Sequence, residues 1–164
     1  MKIAITDANI FIDLYELGRL DWLILLDLEV YTTDIVLNEL STVQAEAARQ
    51  VIAVISSLSL DVISQLNLLE LPRGLSDADQ SVIWQTRQLP DIPFLILTGD
   101  NLMRKWCTKN KMEVHGILWI LDNLIAQKHL SKREALVSLS RLMEINQWLP
   151  ILECERRITA WKEA

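Results

Sequence analysis

A chain of 164 residues that is 51% hydrophobic is long enough to bury one core of ordinary size and short for two domains. Glycine and proline are scarce, at four each, and no tract is dominated by a few residue types, which excludes collagen-like and disordered chains. A formal net charge of −6, from 16 basic and 22 acidic residues, argues against a protein that grips a nucleic acid backbone with its whole surface. A nucleic acid substrate would need a local basic patch or metal ions.

The two cysteines, Cys107 and Cys154, are too few for a disulfide framework and too far apart for the paired spacing of a zinc site. They are expected as free thiols in a reducing compartment. The opening "MKIAITDANI" has an acid where the apolar region of a signal peptide should continue. No apolar run reaches about 18 residues without a charge. Neither a leader nor a membrane span is expected, and the cytoplasm is the expected location.

In chain order, "KIAIT" predicts a first strand, and apolar positions Ile10, Phe11, Leu14 and Leu17 give residues 8–19 one helical face. "LEVYTT" predicts a second strand. "DIVLNELSTVQAEAARQVIAVISSL" repeats Val36, Leu40, Val43 and Ala47 and predicts one or two helices, broken at "ELST". "NLLEL" reads as a buried strand, "SDADQSVIWQTRQL" as a helix ending before Pro90, and "PFLILT" as another buried strand. "NLMRKWCTKN" and "GILWILDNLIAQKHL" predict helices on either side of "KMEVHG", a short final strand. From Ser131 the pattern is helical, with a break at "QWLP". Strands alternating with helices imply an α/β fold: a central parallel sheet covered on both faces, three layers in all, with a helical C-terminal extension. Residues 1–130 form the expected domain, and helices in 131–164 are expected to pack on it.

In an open α/β sheet, ligands bind beyond the carboxyl ends of the strands. There the predicted strands deliver acids: Asp7; Asp34 and then Glu39; Asp77 and Asp79; and Asp100. Taken singly, most of these have a local explanation. Asp7 and Asp100 suit helix N-caps, Ser76 with Asp79 suits a capping box, and Asp34 suits a first-turn acid. Glu39 does not, since it lies past the first turn beside Val36, Leu37 and Leu40 and must be exposed, paired or bound to a cation. If the acids converge, cations must offset their repulsion. Hard oxygen ligands suit Mg²⁺ or Mn²⁺ together with phosphate oxygens, a combination that activates water and stabilises a leaving oxygen in phosphodiester hydrolysis.

The stretches "ITDANIFIDL", "VLNEL", "GLSDADQSVIW" and "LTGDNLMRKWC" resemble, in order and spacing, the motifs of PIN domains, compact metal-dependent nucleases that include many bacterial toxins of toxin–antitoxin pairs. The tail "EVHGILWILDNLIAQKHLSKREALVSLSRL" is similar to that of one prokaryotic PIN subgroup. The resemblance implies that Asp7, Glu39, Asp79 and Asp100 hold Mg²⁺ or Mn²⁺, with Asp77 the competing candidate for the third acid. It implies supporting roles for Asn9 and Thr98 beside the acids, RNA as substrate, and an antitoxin protein as partner. Many relatives carry a further acid after the fourth, where this chain has Asn101 and then Arg104. That departure favours one tightly held ion and a second recruited with the substrate.

Beside the last acid, Arg104, Lys105, Lys109 and Lys111 form a basic stretch that suits either phosphates or a solvated helix face. His115 and His129 read as a loop residue and a helix-end residue rather than ligands. Trp84, Trp106 and Trp119 read as core. Trp148 and Trp161 suit either the core or an apolar surface for a second subunit, as in a homodimer, or for an antitoxin. Two other functions compete: a PIN-like scaffold that binds a protein or RNA without cutting, and a phosphoryl-accepting receiver. The receiver needs a lysine after a late strand, which "TGDN" and "EVHG" do not supply.

Overall fold

The computed structural model describes residues 2–55, 70–89 and 91–163. In chain order β1 (Ile3–Thr6) leads through Asp7 into α1 (Ala8–Glu16), and a short α2 (Trp22–Leu25) precedes β2 (Glu29–Thr33). Then come α3 (Asp34–Asn38), α4 (Thr42–Val51) and β3 (Ala53–Ile55). The helix α5 (Asp77–Arg87) precedes β4 (Phe94–Leu97), followed by α6 (Asn101–Lys109) and β5 (Val114–His115). Three helices finish the chain: α7 (Ile117–Ala126), α8 (Lys132–Ile145) and α9 (Ile151–Lys162).

The five strands form an all-parallel sheet in the order β3-β2-β1-β4-β5, flanked by helices in a three-layer α/β/α arrangement. From β1 the chain builds one way to β2 and β3, then returns to lay β4 on the other side of β1. The point where strand order reverses therefore lies between β1 and β4. Their loops diverge beyond the carboxyl ends and leave a crevice there.

One expectation is corrected. The apolar run "VIAVIS" was predicted to continue a helix, but α4 ends at Val51 and Ala53–Ile55 pair in parallel with Tyr31–Thr33. Such a run fits a short strand as well as a helix, and here the open edge of β2 decides between them. Of the predicted strand "NLLEL", positions 67–69 lie outside the described residues, and Glu70 and Leu71 are in no strand.

The central strands are buried on both faces, with Ile5, Leu95, Ile96 and Leu97 at most 1% exposed, which is why they read as continuous apolar runs. Against them pack Ile10, Phe11 and Leu14 of α1, Val82 and Ile83 of α5, Met103 of α6 and Ile120, Leu121 and Leu124 of α7. Ala135, Leu139 and Leu142 of α8, with Cys154 and Trp161 of α9, join the same core. Ser131 opens α8 with a reciprocal capping box to Glu134. Both cysteines are free and buried, and burial pushes the Cys107 thiol up to about 11, so it stays protonated and inert. Among the described residues no helix is long and apolar enough to cross a membrane.

One polar contact ties the first helix to the last two. Asp13 of α1, only 6% exposed, accepts hydrogen bonds at 3.0 Å on each carboxylate oxygen from the Asn146 amide, in the turn between α8 and α9. Burial raises the Asp13 carboxyl from 3.8 to about 6, with the Asn146 amide opposing the shift. The folded chain thus holds this proton more tightly than the unfolded chain. The resulting stability is complete below the ordinary carboxylate value, falls as pH rises through about 6, and is constant above. Asp13→Asn should remove this contribution. Between about pH 4 and about pH 7.5 the parent should lose on the order of 2 kcal/mol more unfolding free energy than the variant. Urea unfolding of both proteins at each pH measures the difference, and parallel pH profiles would refute it.

Candidate metal centre

The sheet register places the first acid. Thr6 pairs with Leu97, so Asp7 and Thr98 leave neighbouring strands side by side, and the Asp7 N–H donates to Leu97 O at 3.0 Å. Asp7 is the N-cap of α1, its Oδ1 accepting from the Ile10 N–H at 3.1 Å. Its Oδ2 accepts from the Gly99 N–H at 3.1 Å and from the Thr98 hydroxyl. A cap needs only the first of these bonds. The other two reach across to the end of β4. At 1% exposure the Asp7 carboxyl is pushed up to about 7, chiefly by burial and further by the charge of Asp79, against the pull of Thr98, Ile10 and Gly99.

Thr98 carries the link onward. Its hydroxyl accepts from the Asp100 N–H at 3.0 Å, and Asp100 in turn caps α6, Oδ1 receiving the Met103 N–H at 2.7 Å. The third acid comes from α5, which starts at Ser76, whose hydroxyl accepts the Asp79 N–H at 3.1 Å. Burial lifts the Asp79 carboxyl to about 6, followed by the charges of Asp100 and Glu39, while the polar groups of Ser76 pull it down.

Glu39 ends α3 and is exposed. Its helix is held against α5 by a buried hydroxyl pair. Ser81 Oγ donates to Ala78 O at 2.6 Å, and Thr33 Oγ1 lies 2.6 Å from Ser81 Oγ, so the Thr33 proton points to Ser81. Thr33 also caps α3 by accepting the Val36 N–H at 3.1 Å. This link joins the start of α3 to α5, the helix that carries Asp79.

The expected residues thus divide. Asp79 links the four acids: its charge acts on Asp7, and the charges of Asp100 and Glu39 act on it. Asp77 occupies the same first turn but is exposed. Asp34 lies in the first turn of α3, where its carboxylate accepts the Ile35 N–H at 3.0 Å. Asn9 is exposed and stands against Gly99, where an added Cβ would come within 3.2 Å of Asn9 Cβ. Arg104 is half-buried and Lys105 exposed on α6. His115 ends β5, where it hydrogen-bonds Glu113 at 3.0 Å and stacks on Trp119 at 4.4 Å. His129 is exposed after α7. Trp106 and Trp161 are buried, Trp84 is half-buried and Trp148 is 84% exposed.

Among the described residues, no Lys, Arg or His pairs with any of the four acids. As the side chains stand, no three Asp, Glu, His or Cys residues of the described set close on one point. The donor set nonetheless fits a hard divalent cation, being all carboxylate oxygen, partly desolvated and without a compensating protein charge. Thr33, Ser81, Asp13 and Asn146, which position these elements, are not among the expected site residues, and their partners lie 48 and 133 positions away.

No curated protein matches the chain. A family model described as a PIN domain matches residues 3–163, which includes all fourteen elements described above. That match spans nearly the whole length and agrees with the all-parallel sheet: the chain belongs to the PIN domain family and has a nuclease-type fold.

Proposed function

We propose that the protein is a Mg²⁺- or Mn²⁺-dependent ribonuclease that hydrolyses RNA phosphodiester bonds. The observation that carries this reading is the gathering of Asp7, Glu39 and Asp100 about Asp79, from four separate elements, without a basic partner among the described residues. Like charges brought together at a strand-exit crevice raise the free energy of the metal-free fold, and a divalent cation removes that cost on binding. In this reading Asp79, Asp100 and Glu39 offer oxygens to the ion. Asp7, with both oxygens already engaged, contributes one while staying anchored by Ile10, Gly99 and Thr98. The bound ion would supply neutralising charge, a water of lowered pKa and a positive partner for the leaving oxygen.

The chain's own groups do the rest. Thr98 orients Asp7 and Asp100 together, and Asn9 beside Gly99 borders the approach. Arg104 and Lys105 on α6 supply positive charge for the flanking phosphates. With Asn101 at the position of a further family acid, we read the site as holding one ion tightly and recruiting a second with the substrate. The ordered motifs and the tail led by Gly116 support the finer assignment, a cytoplasmic toxin of a toxin–antitoxin pair. The exposed Val137, Ile145, Ile151 and Leu152 on the last two helices suit an antitoxin protein or a second copy.

Asp79→Asn should abolish RNA cleavage, by more than about 100-fold, since losing a residue that only supports a ligand already costs 10–100-fold. The same variant should melt at or above the parent temperature in EDTA, because a repelling charge is gone. Cleavage retained by Asp79→Asn would sink the site assignment. Added Mg²⁺ should raise the melting temperature of the parent and not of Asp79→Asn, as ligand linkage requires; equal shifts would refute an ion held by these acids. Thr98→Val keeps the shape but removes a donor to a buried carboxylate. It should cost about 1–3 kcal/mol in urea unfolding and roughly 10–100-fold in cleavage.

A further inference from the structure

Beside the acids lies a second feature that they do not explain. A cavity of about 250 Å³ is enclosed by the end of β4, the β5–α7 junction, α6 and the turn between α8 and α9. A wider depression opens over Asp100 and Asn9, and the two meet along Gly99, Asn101, Asn146 and Trp148. The cavity thus adjoins a depression bordered by Asp100, one of the four acids.

Two arginines line the cavity, together with Asp13, whose carboxylate accepts from the neutral Asn146 amide. Arg157 is fully engaged, with Asp122 at 2.8 Å and Glu153 at 3.3 Å. Arg104 has no ion pair and no side-chain hydrogen bond among the described residues, although it is half-buried. Its guanidinium lies across Gly116, where an added Cβ would come within 2.8 Å of a terminal nitrogen. Only a residue without a side chain leaves it that position. A half-buried guanidinium with no protein counter-ion suits an anion with planar or tetrahedral oxygens.

Trp148 supplies the other half of a ligand. It is 84% exposed, an unusual state for the largest aromatic, yet its backbone is fixed. The Trp148 N–H donates to Asn146 Oδ1 at 3.0 Å, and the Asn146 amide in turn grips both oxygens of the buried Asp13. A solvent-facing indole on a fixed backbone at the rim of a polar cavity suits stacking better than a core role.

We propose that this cavity is the subsite for a nucleotide flanking the scissile phosphate of single-stranded RNA, with Trp148 stacking on its base and Arg104 on its phosphate. The inference rests on the ribonuclease reading above. It adds which surface engages the strand and through which groups. Asp13 and Asn146 are positioning residues that hold the platform over the cavity. Stacking makes the subsite tolerant of base identity, whereas the guanidinium fixes the strand's register against the acids.

The test is binding in Mg²⁺ of a fluorescent adenosine pentamer with non-cleavable phosphorothioate linkages, read by anisotropy. Trp148→Ala should weaken binding about tenfold, and Trp148→Phe should recover most of that loss. Replacing one adenosine by an abasic residue should weaken binding to the parent by a similar factor at one position of the pentamer. At that position it should cost Trp148→Ala nothing further. Equal affinities of parent and Trp148→Ala, or an abasic penalty undiminished in the variant, would overturn the subsite while leaving the ribonuclease reading intact. Failure of the parent to bind at all would overturn both. If Trp148→Ala instead converts a dimer to a monomer in sedimentation with RNA affinity unchanged, the indole belongs to a protein interface and the subsite is refuted.

Discussion

The buried carboxylate of Asp7 is the constraint from which the rest of the site follows. Leaving it ionised inside the fold costs several kcal/mol unless donors surround it. The fold supplies three, from Ile10, Gly99 and the Thr98 hydroxyl. Those donors come from the first turn of α1 and from the exit of β4, so satisfying one side chain fixes the mutual position of two chain segments more than 80 residues apart. The parallel pairing of Thr6 with Leu97 brings them into range, and the reversal of strand order between β1 and β4 leaves the space above them open.

Asp79 turns this local arrangement into a charged centre. It feels Asp100 and Glu39, and Asp7 feels Asp79. None of these repulsions helps the chain fold. What holds the acids together is a set of hydrogen bonds: neutral helix caps at Thr33 and Ser76, a carboxylate cap at Asp100, and the hydroxyl pair Thr33–Ser81 between α3 and α5. Such bonds, each worth about 1 kcal/mol net when neutral and more when charged, suffice because the surrounding core of Val36, Leu37, Ala78, Val82 and Ile83 is fully buried or nearly so. Core packing thus offsets the electrostatic cost of holding these acids together.

How much of this was legible in the sequence varied with the range of the interaction. Strands β1, β2, β4 and β5, the break before Ser41, and the caps at Asp7, Ser76 and Asp100 all stand where local patterns place them, because each depends on residues within a few positions. The strand β3 was missed because a short apolar run has no period of its own and takes its form from the sheet edge it meets. The choice between Asp77 and Asp79 was open for a similar reason: two positions on one helical turn differ in direction, and only the packing of α5 turns Asp79 toward the other acids. Glu39, beside an apolar face, is expected to be exposed, paired or bound to a cation, and it is exposed. The same rule covers Asp13, three positions after Ile10 on the buried face of α1. That signal was present in the sequence, but its partner Asn146 lies 133 positions away, and no spacing rule reaches so far.

The pairing of Asp13 with Asn146 also explains why the C-terminal helices are more than a cover for the core. Ala135, Leu139 and Leu142 would suffice to seat α8, but apolar contacts alone leave the turn after it free to shift. A buried carboxylate that accepts both of its bonds from one amide tolerates little displacement, since losing the amide would leave a desolvated acid unpaired. Asn146 then passes that rigidity to Trp148 through the indole residue's own N–H. On the opposite wall, Arg157 spends its charge on Asp122 and Glu153 to bind α9 to α7, while Arg104 is left without a partner of that kind. Both arginines line the cavity, one paired with carboxylates and one without an ion pair among the described residues, so Arg104 is the cation left for whatever enters.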